Sequence, residues 1–137
     1  MNNNGGTQMV TDKPMGEIRT RVGKILLRED GIVQLVIDPK AEYTLADIGE
    51  GNAGILQASN GQQRPVLVDA RDIKSVDFAA RKEAANFAEI TSVAVLIHSM
   101  VSRMIGNVFI SANKPSIPVR LFNSEAEAIE WLKEFLK

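Results

Sequence analysis

The sequence predicts an α/β fold: a single-layer, mixed, mostly parallel sheet with an N-terminal antiparallel hairpin and about four helices. Three observations point there. Short apolar runs at 65–70 and 92–99 lack polar alternation, as expected of parallel strands buried on both faces. Stretches of helical period lie between and after them. An Asp30-Gly31 pair separates two β-rich runs near the start, a strong hairpin signal. Strands alternating with helices impose right-handed crossovers, hence parallel neighbours. The 137 residues show no internal repeat and suit one core. Residues 1–17 read as a flexible leader and 18–137 as the domain.

In chain order, RTRVGKILLRE and IVQLVID form the hairpin, and a type I′ turn is expected at Asp30-Gly31. Val33, Leu35 and Ile37 fall on one face of the second run, which Pro39 ends. Thr44 opens a helix as N-cap, with Asp47 three residues on in capping-box position. On its wheel Leu45, Ile48, Ile55 and Leu56 share a face, with Asp47 and Glu50 opposite. PVLVDA (65–70) is the next strand. A second helix is expected from Ser75 or Asp77 to about Ile90, then the strand SVAVLIHS (92–99). Ser99 caps a third helix to about Ser111. IPVRLF (117–122) reads as an edge strand, because Pro118 lacks the donor a central strand needs. Ser124 and Glu127 make an S-x-x-E box ahead of the last helix. Its Ala128, Ile129, Trp131, Leu132, Phe135 and Leu136 line one arc, with Glu130, Lys133 and Glu134 on the other.

Composition removes several chemistries. The apolar share is 45%, the charged share 24% and the net charge −1, so no broad electrostatic attraction draws the chain to nucleic acid or an anionic membrane. With no cysteine there is no disulfide, thiolate nucleophile or Cys-bound zinc. A single histidine, His98, leaves no multi-histidine metal site. The N-terminus carries neither a basic nor an apolar signal region. The apolar window 92–110 is interrupted by polar residues and a change of period, which favours two soluble elements over a membrane span. A cytoplasmic location and no cofactor are expected.

The succession PVLVDAR, SVDFAARKEAA, VAVLIHS and IPVRLFNSEAEAIEWL resembles the SpoIIAA-like, or STAS-type, fold of bacterial anti-sigma-factor antagonists. More closely it resembles an uncharacterised bacterial branch with that fold, over roughly residues 20–137. The resemblance implies a partner-binding regulatory module. Classical antagonists carry a phosphorylatable Asp-Ser-Ser-Gly type stretch at the matching helix start. Here Val76-Asp77-Phe78-Ala79 stands there without a hydroxyl, so switching by serine phosphorylation is not implied.

GEGNAG (49–54) has the G-x-G-x-x-G spacing of a dinucleotide loop. Such a loop must leave a strand directly and open a crossover helix. This one sits inside a helical period, so a glycine-softened helix is expected. Gly51 and Gly54 fall toward the polar side of the wheel, and alanine at either is expected to raise the melting temperature. Asn52, on the apolar side, is expected to mark a break in the helix.

The C-terminal ends of parallel strands collect ligands. That edge gathers Asp69, Arg71, Asp72, His98, Ser99 and Arg120, and the helix starts near Ser75, Asp77 and Ser99 add N–H donors. Arg71 and Arg103 could charge-balance an anion. Asp69, Arg71, Ser75, Asp77, His98, Ser99 and Arg103 are therefore the candidate ligand-binding set. His98 is expected to act as a hydrogen-bonding spacer, Asp69 and Asp72 to be satisfied by Arg71, Arg81 or backbone donors, and Arg81 to pair with Asp77. No nucleophile–base pair or metal cluster emerges, so an enzyme is not expected. The helix after Ser99 has an unusually wide apolar arc, and Met100, Met104, Ile105, Val108 and Ile110 are the candidate partner or homodimer surface. Two functions follow as expectations: a self-associating protein-interaction module, or a carrier of a small apolar or anionic ligand.

Overall fold

The computed structural model describes residues 16–76, 90–98 and 117–136. Eight strands and two helices lie in these segments: β1 (Ile18–Arg19), β2 (Gly23–Leu27), β3 (Val33–Ile37), β4 (Glu42–Tyr43), α1 (Leu45–Ser59), β5 (Arg64–Asp69), β6 (Ser75–Val76), β7 (Ile90–Leu96), β8 (Val119–Phe122) and α2 (Glu125–Lys133). The main sheet runs β1-β2-β3-β5-β7-β8. β1, β2 and β3 pair antiparallel, while β3–β5, β5–β7 and β7–β8 are parallel. The mixed, mostly parallel sheet with its opening hairpin is thus present. Among the described residues the helices number two; the bodies of the expected second and third fall in 77–89 and 99–116, outside the described residues, as does almost all of the expected leader.

Register assigns the faces. Val33 pairs with Val66 and Leu35 with Val68, on the side that α1 covers. Gln34, Leu67, Ala94 and Arg120 form a row on the opposite side, and Val36, Asp69, Leu96 and Phe122 the next. There α2 buries Ala128 and Leu132 against Ile32, Leu67, Ala94, Leu96 and Phe122. Two helices on opposite faces give two cores separated by one sheet. Ser124 caps α2, its hydroxyl accepting from the Glu127 amide at 3.3 Å, and Glu130, Lys133 and Glu134 are exposed as expected.

Several expectations need correction. The hairpin is not a two-residue type I′ turn. Only Gly31 has positive φ, at 91°; its amide donates to Arg28 O at 3.0 Å, and the Arg28 amide to Ile32 O at 2.9 Å. This is a three-residue loop whose glycine supplies the left-handed position. The first run is split, since Thr20 turns the chain by donating its amide and hydroxyl to Gly23 O. Ser75 does not start a helix: Ser75–Val76 pairs in parallel with Glu42–Tyr43 in a separate two-stranded sheet, so the fold is not a single sheet layer. Ile90 opens β7 instead of ending a helix. Pro65, fully buried in a central strand, is tolerated because the register to β7 shifts between Arg64 and Pro65. β8 lies at the sheet edge, with Pro118 immediately before it.

α1 diverges most from the wheel. It is continuous from Leu45 to Ser59 through Asn52, ending at Asn60 in the left-handed conformation. GEGNAG is therefore helical throughout. Its buried residues are Asp47, Ile48, Gly51, Gly54, Ile55, Ala58 and Ser59, while Leu45 and Leu56 are each 47% exposed. The helix is rotated so that its small residues face the sheet. A Cβ on Gly51 would stand 2.6 Å from the Tyr43 hydroxyl, and one on Gly54 would overlap the Ile25 Cδ1 methyl. Around Gly49 nothing lies within 4 Å of that position. Alanine at Gly51 or Gly54 thus meets the ends of the buried Tyr43 and Ile25 side chains, which must shift to admit it, so the expected gain in stability is opposed there.

Candidate functional site

The parallel strands β5 and β7 end side by side, tied beyond their ends by the Ala70 amide donating to Leu96 O at 3.1 Å. β8 follows in register, with the Ile97 amide on Phe122 O at 2.8 Å. This edge opens toward the first turn of α2. Asp69 closes β5 on the α2 side of the sheet and receives Arg71 in a fork, Nε to Oδ1 at 2.9 Å and Nη2 to Oδ2 at 2.7 Å. The Arg71 amide adds a third bond to Oδ1 at 3.2 Å. Burial works against ionised Asp69, but the Arg71 guanidinium and amide outweigh it, so its pKa is lowered. Asp69, in turn, raises that of Arg71.

Arg71 Nη2 also lies 3.6 Å from Glu125 Oε1, in the first turn of α2. The other Glu125 oxygen lies 4.0 Å from Arg28 Nη1, and Arg28 Nη2 donates to Asp30 at 3.0 Å. Charges of alternating sign, Asp69–Arg71–Glu125–Arg28–Asp30, thus link the end of β5 to the hairpin across the start of α2. Asp30 stays ionised below the usual carboxylate range, because Arg28 and the Ile32 amide exceed the effect of its partial burial. Beside this chain His98 Nε2 sits 3.2 Å from Asp72 Oδ1, both side chains about half exposed.

The structure therefore brings together Asp69, Arg71, Asp72 and His98, four of the residues placed at this edge by sequence. Ser75 is exposed on the two-stranded sheet beside Glu42, apart from the cluster. Arg120 is not at the edge but midway along β8, its guanidinium stacked 5.0 Å from the Phe122 ring centroid and 5.5 Å from that of Trp131. Asp77, Arg81, Ser99 and Arg103 lie outside the described residues, as do Met100, Met104, Ile105, Val108 and Ile110 of the candidate interface. Glu125, Arg28 and Asp30 were missed. Glu125 was readable as a first-turn acid after a cap, a place that favours a carboxylate, but nothing local tied it to two arginines.

Chemically, the cluster orients charge more than it offers it. Asp69 occupies the Nε–Nη2 edge of Arg71 and Glu125 lies 3.6 Å from the same Nη2, so an anion there must share the guanidinium with two carboxylates. Among the described residues no group of three or more His, Asp or Glu is placed to hold a metal. No described helix is long and apolar enough to cross a membrane.

A second charged site anchors α1. Asp47, nearly buried, accepts Arg21 Nε at 2.9 Å and Nη2 at 2.6 Å, and Thr44 closes the capping box through its amide and hydroxyl, each 2.9 Å from Oδ2. The Arg21 guanidinium, ahead of burial, which opposes it, and of the Thr44 donors, brings the Asp47 pKa down to about 2. Tyr43 is shifted the other way by burial and by the nearby Asp47 and Glu50 charges.

Comparison with known proteins bears on fold and family. An uncharacterised protein of the DUF3478 family from Shewanella loihica PV-4, with a SpoIIAA-like fold, superposes with a TM-score of 0.53 at 14% identity, over 85% of this chain and 90% of that one. A protein of unknown function from Arthrobacter sp. FB24 is 27% identical over 85% of this chain and 96% of its own, with a TM-score of 0.34. No curated protein matches. The first superposition gives the fold as SpoIIAA-like. Residues 25–136 match the profile of a domain of unknown function, DUF7793, and the chain belongs to that family.

Proposed function

We propose that this chain is a cytoplasmic, non-enzymatic regulatory module that works by binding protein, its own copies included. The observation that supports this best is the outward side of α1. Leu45 and Leu56 stand half exposed there with Ala46, Gly49, Asn52, Ala53 and Gln57, and Glu50 is the one charged residue among them. Soluble surfaces are about 25–35% charged, and interface cores are depleted in charge. A helix that buries an aspartate inward and turns leucines outward departs from the ordinary amphipathic arrangement. The SpoIIAA-like fold is compatible with this role without assigning it.

A second reading is favoured by the strand-end cluster: a carrier for a small ligand held near Asp69, Arg71 and His98, at the edge where open α/β sheets bind. Native mass spectrometry of the purified chain separates the two. An even-numbered oligomer without added mass is the expected result. A monomer retaining a small co-purifying mass would contradict the module and favour the carrier.

A further inference from the structure

We propose that α1 is a gate: it opens as a unit while β5, β7, β8 and α2 stay folded, and Arg21 is its latch. The opening does not depend on what the chain binds. The helix is weak in itself. Gly49, Gly51 and Gly54 all lie inside it, and each lowers the helix–coil equilibrium about fivefold relative to alanine. Packing accounts for two of them, since a Cβ on Gly51 or Gly54 would meet Tyr43 or Ile25. Around Gly49 there is open space, so that glycine weakens the helix without serving a contact. The helix is also lightly packed. Of its 15 residues, Ile48 and Ile55 are the only large apolar side chains that are buried, while Leu45 and Leu56 stand half exposed. By contrast α2, with nine residues, packs Ala128, Leu132, Ile129 and Trp131 into its core.

Charge at one residue makes up the difference. The only ionisable residues of α1, Asp47 and Glu50, both accept from Arg21: Asp47 takes the guanidinium fork, and Glu50 the backbone amide at 2.9 Å. The same guanidinium donates to Glu42 O at 3.2 Å, tying the start of α1 to β4 as well as to the β1–β2 connection. The Asp47 side chain is 2% exposed, so without the arginine it is a buried carboxylate lacking its counter-charge. Opening returns Asp47 to water, and closing depends on Arg21. At the far end Arg64 Nε donates to Ser59 O at 2.9 Å, a tie to the backbone alone. What opening exposes is bounded, because the core under α2 lies on the other face of the sheet and includes no residue of α1. Tyr43, the sole tyrosine, and Ile25 lie against Gly51 and Gly54 and are uncovered. A weak helix over an otherwise intact sheet is the kind of unit that opens below the global unfolding free energy.

The test is residue-resolved native-state hydrogen exchange on wild type, Arg21→Lys and Ser124→Ala. In wild type the amides of residues 48–59 are expected to exchange at least about tenfold faster than those of β5 and β7. Arg21→Lys keeps the charge and loses the fork, and is expected to speed exchange at 48–59 about fivefold. Ser124→Ala weakens only the cap of α2. It is expected to speed exchange in β5 and β7 about fivefold and to leave 48–59 unchanged, because α2 stays folded when the gate opens. Nitration of Tyr43 by tetranitromethane is expected to follow the 48–59 amides in all three proteins. Amides 48–59 as slow as those of β5 and β7, or speeded by Ser124→Ala, would show that α1 opens only with the whole fold and overturn the gate. Unchanged exchange at 48–59 in Arg21→Lys would overturn Arg21 as the latch.

Discussion

Asp47 does more than any other single residue to set the orientation of α1. Its carboxylate closes the capping box with Thr44 and is gripped by Arg21 from the β1–β2 connection, so the helix start is fixed both along its axis and about it. The position was legible in sequence as a cap, but the wheel put Asp47 outward with Glu50. Charge argued for solvent, and the arginine that makes burial tolerable is distant in sequence. A pH dependence follows. The folded-state pKa of about 2 lies below the ordinary 3.8, so the stabilisation is fully present above about pH 4 and is lost as pH falls toward 2. Asp69 and Asp30, both lowered, act in the same direction. Urea unfolding of wild type and Asp47→Asn is expected to differ by about 1–3 kcal/mol at pH 7 and to converge near pH 2. An unchanged difference across that range would remove the ion pair from this role.

Among the elements, α2 was read nearly whole from its sequence. The S-x-x-E signal, the apolar arc and the acidic outer side coincide with its cap, its buried Ala128 and Leu132, and its exposed glutamates. Local signals and tertiary packing agree there. Ser124→Ala is expected to cost about 1 kcal/mol, measured by chemical denaturation, because the Glu127 amide loses its acceptor. In α1 they disagree. Counting leucines as core placed the buried side about Leu45 and Leu56, whereas the sheet accepts the side whose glycines and alanine allow close approach over Ile25 and Tyr43. A wheel weighs hydrophobicity and not the distance at which two backbones can pack. The hairpin shows a smaller case: Asp-Gly correctly marked a turn, but three loop residues, not two, set its geometry.

At the scale of the whole molecule, strand alternation was enough to give a mostly parallel sheet, and the Pro118 argument placed β8 at its edge. The two-residue strands β4 and β6 carried too little pattern to be seen, and their pairing moved Ser75 away from the strand-end cluster. Four residues of that cluster were legible, since Asp69, Arg71, Asp72 and His98 follow directly from where β5 and β7 end. Glu125, Arg28 and Asp30 join it through folding of distant segments, which no local spacing records. Both the packing of the α1-side core and the exposure of Leu45 and Leu56 depend on how α1 is turned. The most direct measurement of that turn is thermal unfolding of Gly49→Ala beside Gly54→Ala. Gly49→Ala is expected to stabilise the fold by about 0.8–1 kcal/mol through helix propensity, and Gly54→Ala to destabilise it by about 1–3 kcal/mol through overlap with Ile25. Stabilisation by both substitutions would contradict the orientation described.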